Sequence, residues 1–253
     1  MAATGVDVAT ARAAAAGGRE KRDYVRRIFS EIAPRYDLLN HVLSLNVDRL
    51  WRRAAVRSLG VARNPAGTYL DLCAGTLDLA KAIAGNSAFR GRMVAVDFAE
   101  PMLRAGQRKL ADVPGGPVAA DALQLPVPDG TVAGAAVAFG IRNVADLDAC
   151  AAEVLRVLEP RGRFVVLEFS TPRSPFIGSL YGFYFRRILP LVGGIVSGHP
   201  TAYRYLPESV AHFPEGGELA ERLRAAGFER VVWRPLTFGI AALHVAYKGA
   251  PRG

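Results

Sequence analysis

Two carboxylates stand at the ends of apolar runs, where they could bind a nucleoside. Residues 68–78 (TYLDLCAGTLD) carry Asp71 near the end of one run and Gly75 in the turn before an expected helix, and a second run, RMVAVD, closes at Asp97. An ionised carboxylate offers two acceptor oxygens, which suits both hydroxyls of a ribose. The pattern predicts two parallel strands whose carboxyl ends border a crevice for a nucleoside-bearing cofactor.

The turn after the first run lacks the glycines of a dinucleotide site. Such sites use G-x-G-x-x-G so that backbone N–H groups reach a pyrophosphate. Here Gly75 is followed by Thr76 and by Leu77, which would crowd a phosphate, and no P-loop lysine follows. The turn therefore favours a nucleoside without phosphates, such as S-adenosylmethionine. An ordinary strand–turn–helix with an acid at the strand end is the alternative for this motif alone.

Composition indicates one globular domain of a reducing compartment. The chain has 253 residues, of which 51% are hydrophobic, enough for a full α/β core. Its two cysteines, Cys73 and Cys150, are too few for a disulfide framework, and its four histidines show no metal-ligand spacing. Without a signal-peptide pattern at the N-terminus, we expect a cytoplasmic protein that holds no metal.

The positive charge is concentrated near the N-terminus. The net charge is +9, and residues 1–66 carry 12 Lys and Arg against 6 Asp and Glu. A basic excess is typical of proteins that bind nucleic acid or an anionic membrane surface. A high arginine content alone would produce the same excess.

The hydrophobic pattern predicts alternating strands and helices behind an N-terminal helical cap. Val25, Ile28, Phe29 and Ile32 form one helical stripe, and a second helix is expected over residues 42–59. We predict a flexible tail at residues 1–20 and one domain over 21–253, with the cap at 21–66 and an insertion at 171–214. Strand ends are expected near Asp71, Asp97, Ala120, Phe139 and Phe169, helix starts near Thr76, Glu100 and Asp146, then a helix at 218–226 and final strands at 228–233 and 240–247.

Three segments resemble those of the ubiquinone/menaquinone biosynthesis C-methyltransferases, a family of class I S-adenosylmethionine-dependent methyltransferases. They are residues 36–40 (YDLLN) with Ser44 and 49–51 (RLW), residues 139–143 (FGIRN), and residues 156–170 (RVLEPRGRFVVLEFS). The resemblance covers most of the chain and is specific, because the first and third segments are long and rarely occur together.

The resemblance implies an α/β fold and an enzymatic activity. The fold is a doubly wound, seven-stranded, mainly parallel sheet with the helical cap and a helical, aromatic insertion before the last strands. The activity is S-adenosylmethionine-dependent C-methylation of a reduced prenylated quinone precursor, with demethylmenaquinol favoured as the substrate. Departures from the family pattern include Leu39, Asn46, Asp48, Ala74, Leu77 and Arg161. We expect the bulk of Leu77 to tighten the cofactor pocket.

The cofactor site implied by the resemblance comprises Asp71, Gly75, Thr76, Asp97, Asp121, Ala122 and Ala138. Gly75 and Thr76 would border the methionine end, Asp97 the ribose, and Asp121 with Ala122 the adenine. Asp71 would orient the loop and the cofactor's ammonium group, and Ala138 stands where relatives offer a serine. Alternatively, Asp121 caps the turn before residues 123–126.

Arg142 and Asn143 are the predicted catalytic residues. A ring carbon of a quinol becomes nucleophilic when the neighbouring hydroxyl loses its proton, so the enzyme must stabilise a phenolate. Arg142 keeps its charge near neutrality and is suited to that task, and Asn143 would hold the same network. The alternative makes Arg142 a partner in a surface ion pair.

Four residues are predicted to lie on the substrate side: Tyr36, Asp37, Asn40 and Tyr203. The first three would close over the cofactor, or Asp37 and Asn40 would instead cap the next helix. Residues 176–196, the most apolar segment, suit a lid that admits a prenylated ring from the inner face of a membrane. The alternative is an insertion packed on the domain's own core.

Three other methyltransferase activities, and a catalytically silent scaffold, are alternatives that the sequence leaves for comparison. A nucleic-acid methyltransferase would fit the basic charge, but the fourth strand is followed by FGIRN where an Asn/Asp-Pro-Pro-aromatic turn is usual, and neither cysteine is placed to attack a base. We therefore expect no nucleic-acid partner. Methyltransferases of 2-polyprenyl-benzoquinol or of a small soluble metabolite would share the cofactor half, and the sequence does not indicate an oligomeric state.

Overall fold

A seven-stranded sheet forms the centre of the protein. In a computed structural model, residues 19–33, 36, 37, 44, 46–184, 187 and 200–250 are described. The strands are β1 Thr68–Leu72, β2 Arg92–Asp97, β3 Gly115–Ala119, β4 Val132–Ala138, β5 Leu158–Phe169, β6 Arg230–Leu236 and β7 Ala241–Tyr247, in the order β3-β2-β1-β4-β5-β7-β6. β7 pairs antiparallel with β5 and β6, and all other pairs are parallel. The order reverses between β1 and β4, which opens a crevice at their carboxyl ends.

Helices cover both faces of the sheet. They are α1 Arg19–Ile32, α2 Val47–Leu59, α3 Asp78–Ala84, α4 Glu100–Gly106, α5 Leu147–Val157, α6 Pro175–Phe183, α7 Pro200–Ala211 and α8 Gly216–Ala225. α2 ends at Gly60 with φ 74°, a left-handed conformation that glycine adopts without strain. Asp146 caps α5 by accepting the backbone N–H groups of Asp148 and Ala149. These local signals explain why the helix ends were readable from the sequence.

The apolar core has a layer on each side of the sheet and a smaller cluster outside it. One layer holds α2 and α3 against side chains such as Tyr69 and Met93, and the other holds α5 and α8 against Leu70 and Phe164. The smaller cluster joins α1 to α7 through buried Tyr24, Val25, Ile28, Ile32, Tyr205 and Val210. The N-terminal helix therefore packs on the helix that follows the insertion.

The predicted fold class is confirmed, with differences at the N-terminus. The ends expected for the first five strands lie within one residue of the observed ends, whereas the strand expected over 228–233 is observed as Arg230–Leu236. The last two strands pair antiparallel. The tail predicted for residues 1–20 lies outside the described residues except for Arg19 and Glu20, which begin α1. The second helix begins later than predicted: α2 starts at Val47, because Asn46 has a left-handed φ of 60° and Ser44 lies in a turn, while residue 42 lies outside the described part.

The insertion contains helices in the part that the structure describes. α6 and α7 lie in residues 171–214, with no strand among the described residues of that range. None of the helices in the described part of the chain combines the length and the apolar character needed to cross a membrane.

Candidate functional site

Asp97 fixes the loop that follows β1. One of its carboxylate oxygens accepts the backbone N–H of Gly75 at 2.8 Å, and the other accepts the N–H of Ala99 at 2.8 Å. Gly75 has φ 52°, a conformation that favours glycine. The acid predicted to hold the ribose therefore also ties the end of β2 to the glycine turn after β1.

Asp71 holds the start of α3 from inside the protein. Its side chain is buried and accepts the N–H of Ala80, in the first turn of the helix, at 2.8 Å. Burial raises the pKa of Asp71 to about 8, although that hydrogen bond and the nearby Arg52 act in the opposite direction. Burial likewise raises the pKa of Asp97, against three backbone N–H groups that lower it. A cationic ligand in this place would favour the ionised form of both acids.

A cavity of 440 Å³ lies at the carboxyl ends of β1, β2 and β4. This volume is in the range of sites for drug-sized ligands. Its lining includes all seven residues predicted to bind the cofactor, namely Asp71, Gly75, Thr76, Asp97, Asp121, Ala122 and Ala138. Among the described residues, five aspartates and only two arginines line it, so the cavity suits a ligand with positive charge. The sulfonium and ammonium groups of S-adenosylmethionine meet that requirement.

A lysine that the sequence did not single out joins the cap to the cofactor loop. The ammonium of Lys109 lies 2.5 Å from Asp37 and 2.6 Å from Asp78, and Asp37 also accepts the hydroxyl of the buried Thr76. Lys109 follows α4 and Asp37 precedes β1, so the contact is long-range and leaves no local sequence signal. In the structure Asp37 thus bonds to the loop, whereas the alternative expected it to cap the next helix.

Replacing Lys109 by methionine is expected to weaken S-adenosylmethionine binding about tenfold, the value of roughly one hydrogen bond to a charged group. Without the ammonium, Asp37 and Asp78 repel each other, and the segment that carries Asp37 loses its hold on the loop. Calorimetric titration measures the change. Lys81→Met, at an exposed position of α3, is the matched control, and equal affinities for the two variants would contradict this role.

Asp121 both lines the cavity and caps the turn before residues 123–126, as the alternative interpretation predicted. One oxygen accepts the N–H of Leu123 at 3.0 Å, and the other lies 2.9 Å from the guanidinium of Arg22 on α1. Arg22 also lines the cavity, as do Val25 and Phe29 of the same helix. The first helix therefore covers the side of the cavity where adenine was predicted.

Arg142 is not in the surface ion pair of the alternative, and its predicted catalytic role stays a prediction. Its guanidinium is buried, lies 2.7 Å from the buried Glu168, donates to the carbonyl of Phe139 and lies 3.3 Å from the hydroxyl of Ser209. It is therefore not part of a surface pair, and it is not among the residues that line the cavity. Direct contact between Arg142 and a phenolate is not supported by this placement, because the charge is already paired inside the protein.

Asn143 lines the cavity and has a buried side-chain oxygen without a hydrogen-bond partner among the described residues. A buried acceptor without a partner is costly, so a turn of this side chain that brought the oxygen to a hydrogen-bond donor in the cavity would be favoured. Gly140, three residues before Asn143, packs closely on the loop that follows β1. A Cβ at position 140 would lie 2.5 Å from the Cβ of Cys73.

The remaining predicted residues differ in what the structure describes. Tyr36 is half-buried, lines the cavity and packs edge-on against Phe29, with ring centroids 5.8 Å apart. Asn40 lies outside the described residues, and Tyr203 lies on α7 with its side chain outside them. The expectation for Leu77 was wrong: with φ 69° its side chain turns into the core, is fully buried, and does not line the cavity.

No group of three or more potential metal-ligating side chains occurs among the described residues. Burial raises the pKa of the Cys73 thiol well above its ordinary value and that of Cys150 to about 12. Both thiols are therefore in the neutral form, which is a poor nucleophile.

Curated relatives match nearly the whole chain. The sequence pattern of the ubiE/COQ5 methyltransferase family matches residues 17–248. The chain is 49% identical over 221 residues to "Demethylmenaquinone methyltransferase" of Thermus thermophilus, covering 86% of this chain and 98% of the relative. It is 44% identical over 234 residues to "Ubiquinone/menaquinone biosynthesis C-methyltransferase UbiE" of Geobacter sulfurreducens, covering 91% of this chain and 90% of the relative.

Solved structures share the fold at low sequence identity. A possible histamine N-methyltransferase of Thermotoga maritima superposes with a TM-score of 0.55 at 17% identity, covering 88% of this chain and 98% of that one. A phosphoethanolamine N-methyltransferase of Haemonchus contortus, solved with S-adenosyl-L-methionine, superposes with a TM-score of 0.56 at 12% identity. The match covers 77% of this chain and 52% of that one. At these identities the likeness concerns the architecture of the sheet and helices.

Proposed function

The chain belongs to the ubiE/COQ5 methyltransferase family, and we propose from this premise that its substrate is demethylmenaquinol. It is an S-adenosylmethionine-dependent enzyme that methylates a carbon of a reduced quinone precursor. Two relatives named demethylmenaquinone methyltransferase, from Thermus thermophilus and Mycolicibacterium vanbaalenii, are 49% and 46% identical to it, which supports a naphthoquinol over a benzoquinol. The observation that carries the proposal is the acidic cavity between the cap and the carboxyl ends of the strands.

The cofactor fits the residues that line the cavity. S-adenosylmethionine supplies an electrophilic methyl group on a sulfonium. We assign Asp97 to the ribose, Asp121 and Ala122 to the adenine, and Gly75 and Thr76 to the methionine end. Asp71 lies behind the loop, where it holds α3 and adds negative charge near the ligand's ammonium. Ala138 completes the wall at the end of β4.

The substrate side lies near the cap and the turn after β4. We propose that the unpaired oxygen of Asn143 accepts the proton of the quinol hydroxyl in a hydrogen bond, which raises electron density on the ring. Tyr36 closes the cavity from the cap, and we keep Asn40 and Tyr203 as proposed substrate residues. In-line transfer requires the reacting atoms to be held within about 3–3.5 Å, so excluding water and fixing the ring are the main tasks of this side.

Arg142 acts in this proposal as a positioning residue. Its guanidinium holds the carbonyl of Phe139, and its backbone N–H donates to Glu168 at 3.3 Å. Both bonds fix the turn of residues 139–143, which carries Asn143 to the cavity. The effect of Arg142 on the quinol is therefore transmitted through this turn.

Labelled cofactor offered with two reduced quinone precursors tests the substrate. We expect label in the lipid phase on a prenylated naphthoquinol that lacks the ring methyl, and much less on the matching benzoquinol. The oxidised naphthoquinone, which has no ring hydroxyl to ionise, should accept no label. Label found only in a water-soluble compound would overturn the proposal in favour of a small-metabolite methyltransferase.

The place of action follows from the substrate. Because a prenylated quinol resides in lipid, we propose that the enzyme works in the cytoplasm at the inner face of the membrane. The net charge of +9 is consistent with an anionic surface.

A further inference from the structure

Five large apolar side chains are exposed on three separate elements. They are Leu50 of α2, Phe176, Leu180 and Phe183 of α6, and Phe238 in the turn between β6 and β7, with exposed fractions of 57%, 81%, 62%, 56% and 77%. We call these residues the apolar patch. The other exposed large apolar residues of the described chain, Val118 and Val232, reach only 37% and 39%. Side chains this large and this exposed indicate a surface that meets another apolar phase.

Contacts behind the patch join α2 to the turn between β6 and β7 and place that turn beside the segment that precedes α6. The indole N–H of Trp51, next to Leu50, donates to the hydroxyl of Thr237, next to Phe238, at 2.8 Å. The hydroxyl of Ser170, at the end of β5, donates to the carbonyl of Gly239 at 2.6 Å. The three patch residues of α6 follow the spacing i, i+4, i+7 and lie on one side of that helix. A Cβ on Gly239 would lie 3.3 Å from the Cα of Pro172, three residues before α6, so the start of α6 and the turn both lie near the carboxyl end of β5.

Aromatic rings connect the patch with the cavity. Phe139 lines the cavity, and its ring centroid lies 4.5 Å from that of Phe169 and 5.9 Å from that of Trp51. Trp51 and Phe169 also meet edge-on at 6.3 Å. These rings therefore form a continuous apolar contact from the cavity to Trp51, the neighbour of Leu50 in the patch.

Positive charge flanks the patch. Arg49 and Arg53 are exposed on α2 beside Leu50, and Arg187 is exposed four residues beyond Phe183. Arg173, just before α6, has a side chain that is 78% exposed and lies 3.8 Å from Glu215, a distance at which an exposed pair contributes little. Apolar side chains flanked by arginines match the headgroup and acyl boundary of an anionic bilayer.

We propose that the apolar patch docks the enzyme on an anionic lipid bilayer, and that the prenyl tail of the substrate passes from the bilayer to the cavity along Phe139, Trp51 and Phe169. The docking surface rests on the structure itself, whereas the path of the tail rests on the proposed function. The patch residues enter the acyl boundary, and the flanking arginines contact lipid phosphates.

Co-sedimentation of the full chain with vesicles tests the docking surface. We expect the protein to bind vesicles containing phosphatidylglycerol, to bind phosphatidylcholine vesicles much more weakly, and to dissociate as salt rises. The double variant Phe176→Ser/Phe238→Ser should lower partitioning about tenfold or more, since two large apolar side chains no longer enter the lipid. Val118→Ser, an exposed apolar residue outside the patch, should partition like the unmodified protein.

Several outcomes would overturn docking at this patch. One is that the unmodified protein binds neither kind of vesicle at low salt. Another is that the double variant and the unmodified protein partition equally. The third is that the double substitution abolishes self-association of the protein while its binding to vesicles stays the same. Unchanged affinity of the double variant for S-adenosylmethionine shows that it is folded.

Activity on two substrates separates docking from the proposed function. The double variant should methylate a short-tailed naphthoquinol in solution at the normal rate, and a long-tailed quinol in vesicles several-fold more slowly. If the unmodified protein methylates neither quinol while its vesicle binding depends on the patch, the proposed function fails and the docking surface stands.

Discussion

Replacing Arg142 by alanine is expected to lower the free energy of unfolding by about 3–5 kcal/mol, because it leaves the carboxylate of Glu168 buried without its partner. Glu168 is 1% exposed, and solvent therefore does not replace the lost guanidinium. Chemical denaturation measures the change. Arg222→Ala breaks a comparable but exposed pair with Asp148, at 2.9 Å, and should cost only about 0–1 kcal/mol.

A second variant separates the structural role of Arg142 from its role in the reaction. Arg142→Met combined with Glu168→Gln removes both charges and should recover much of the lost stability. If Arg142 positions the turn that carries Asn143, this double variant should bind the cofactor normally yet turn over the quinol far more slowly. Near-normal turnover in the stable double variant would remove the ion pair from the mechanism.

The sheet could be predicted from the sequence because its signals are local. The apolar runs that end at Asp71 and Asp97 and the helix stop at Gly60 each depend on a few consecutive residues. The acids at the ends of β1 and β2 consequently meet at the edge of the sheet that was expected. The residues that border the cavity from these strands could be listed for the same reason.

The contacts made by side chains distant in sequence could not be predicted. Lys109 reaches Asp37 across 72 positions, and Arg142 reaches Glu168 across 26. Neither pair follows a helical or strand period, so no pattern marks either partner. The error at Leu77 has a different origin, because its backbone φ of 69° is set by the turn and decides which way the side chain points.

These long-range contacts give the cap a physical role. Arg22 pairs with Asp121 on the side of the cavity proposed for adenine, and Asp37 binds Lys109 near the end proposed for the methionine group. The cap is thus tied to the domain at both ends of the proposed cofactor, and it packs on α7 next to the proposed substrate side. Release of the spent cofactor is then expected to require the cap to move.

Asp97→Asn is expected to weaken S-adenosylmethionine binding at least about a hundredfold. The two carboxylate oxygens now accept the N–H groups of Gly75 and Ala99, both at 2.8 Å. An amide offers one oxygen and one NH₂, so one of these backbone donors must face another donor. Hydrogen bonds to a charged group contribute roughly 1.5–3 kcal/mol each, and losing one backbone bond together with the bond proposed to the ribose gives this factor or more.

Calorimetric titration measures the affinity of Asp97→Asn for S-adenosylmethionine, with Glu100→Gln as the matched control. Glu100 is also acidic and lies three residues away, but its side chain is 53% exposed and pairs with Arg104 on the surface at 2.6 Å. Both variants lose one negative charge near the start of α4, so a general charge effect would weaken both equally. If Asp97 shapes the glycine turn and holds the ribose as proposed, affinity falls in Asp97→Asn and stays normal in Glu100→Gln. Normal affinity in that variant would mean that the cofactor is bound without the acid at the end of β2.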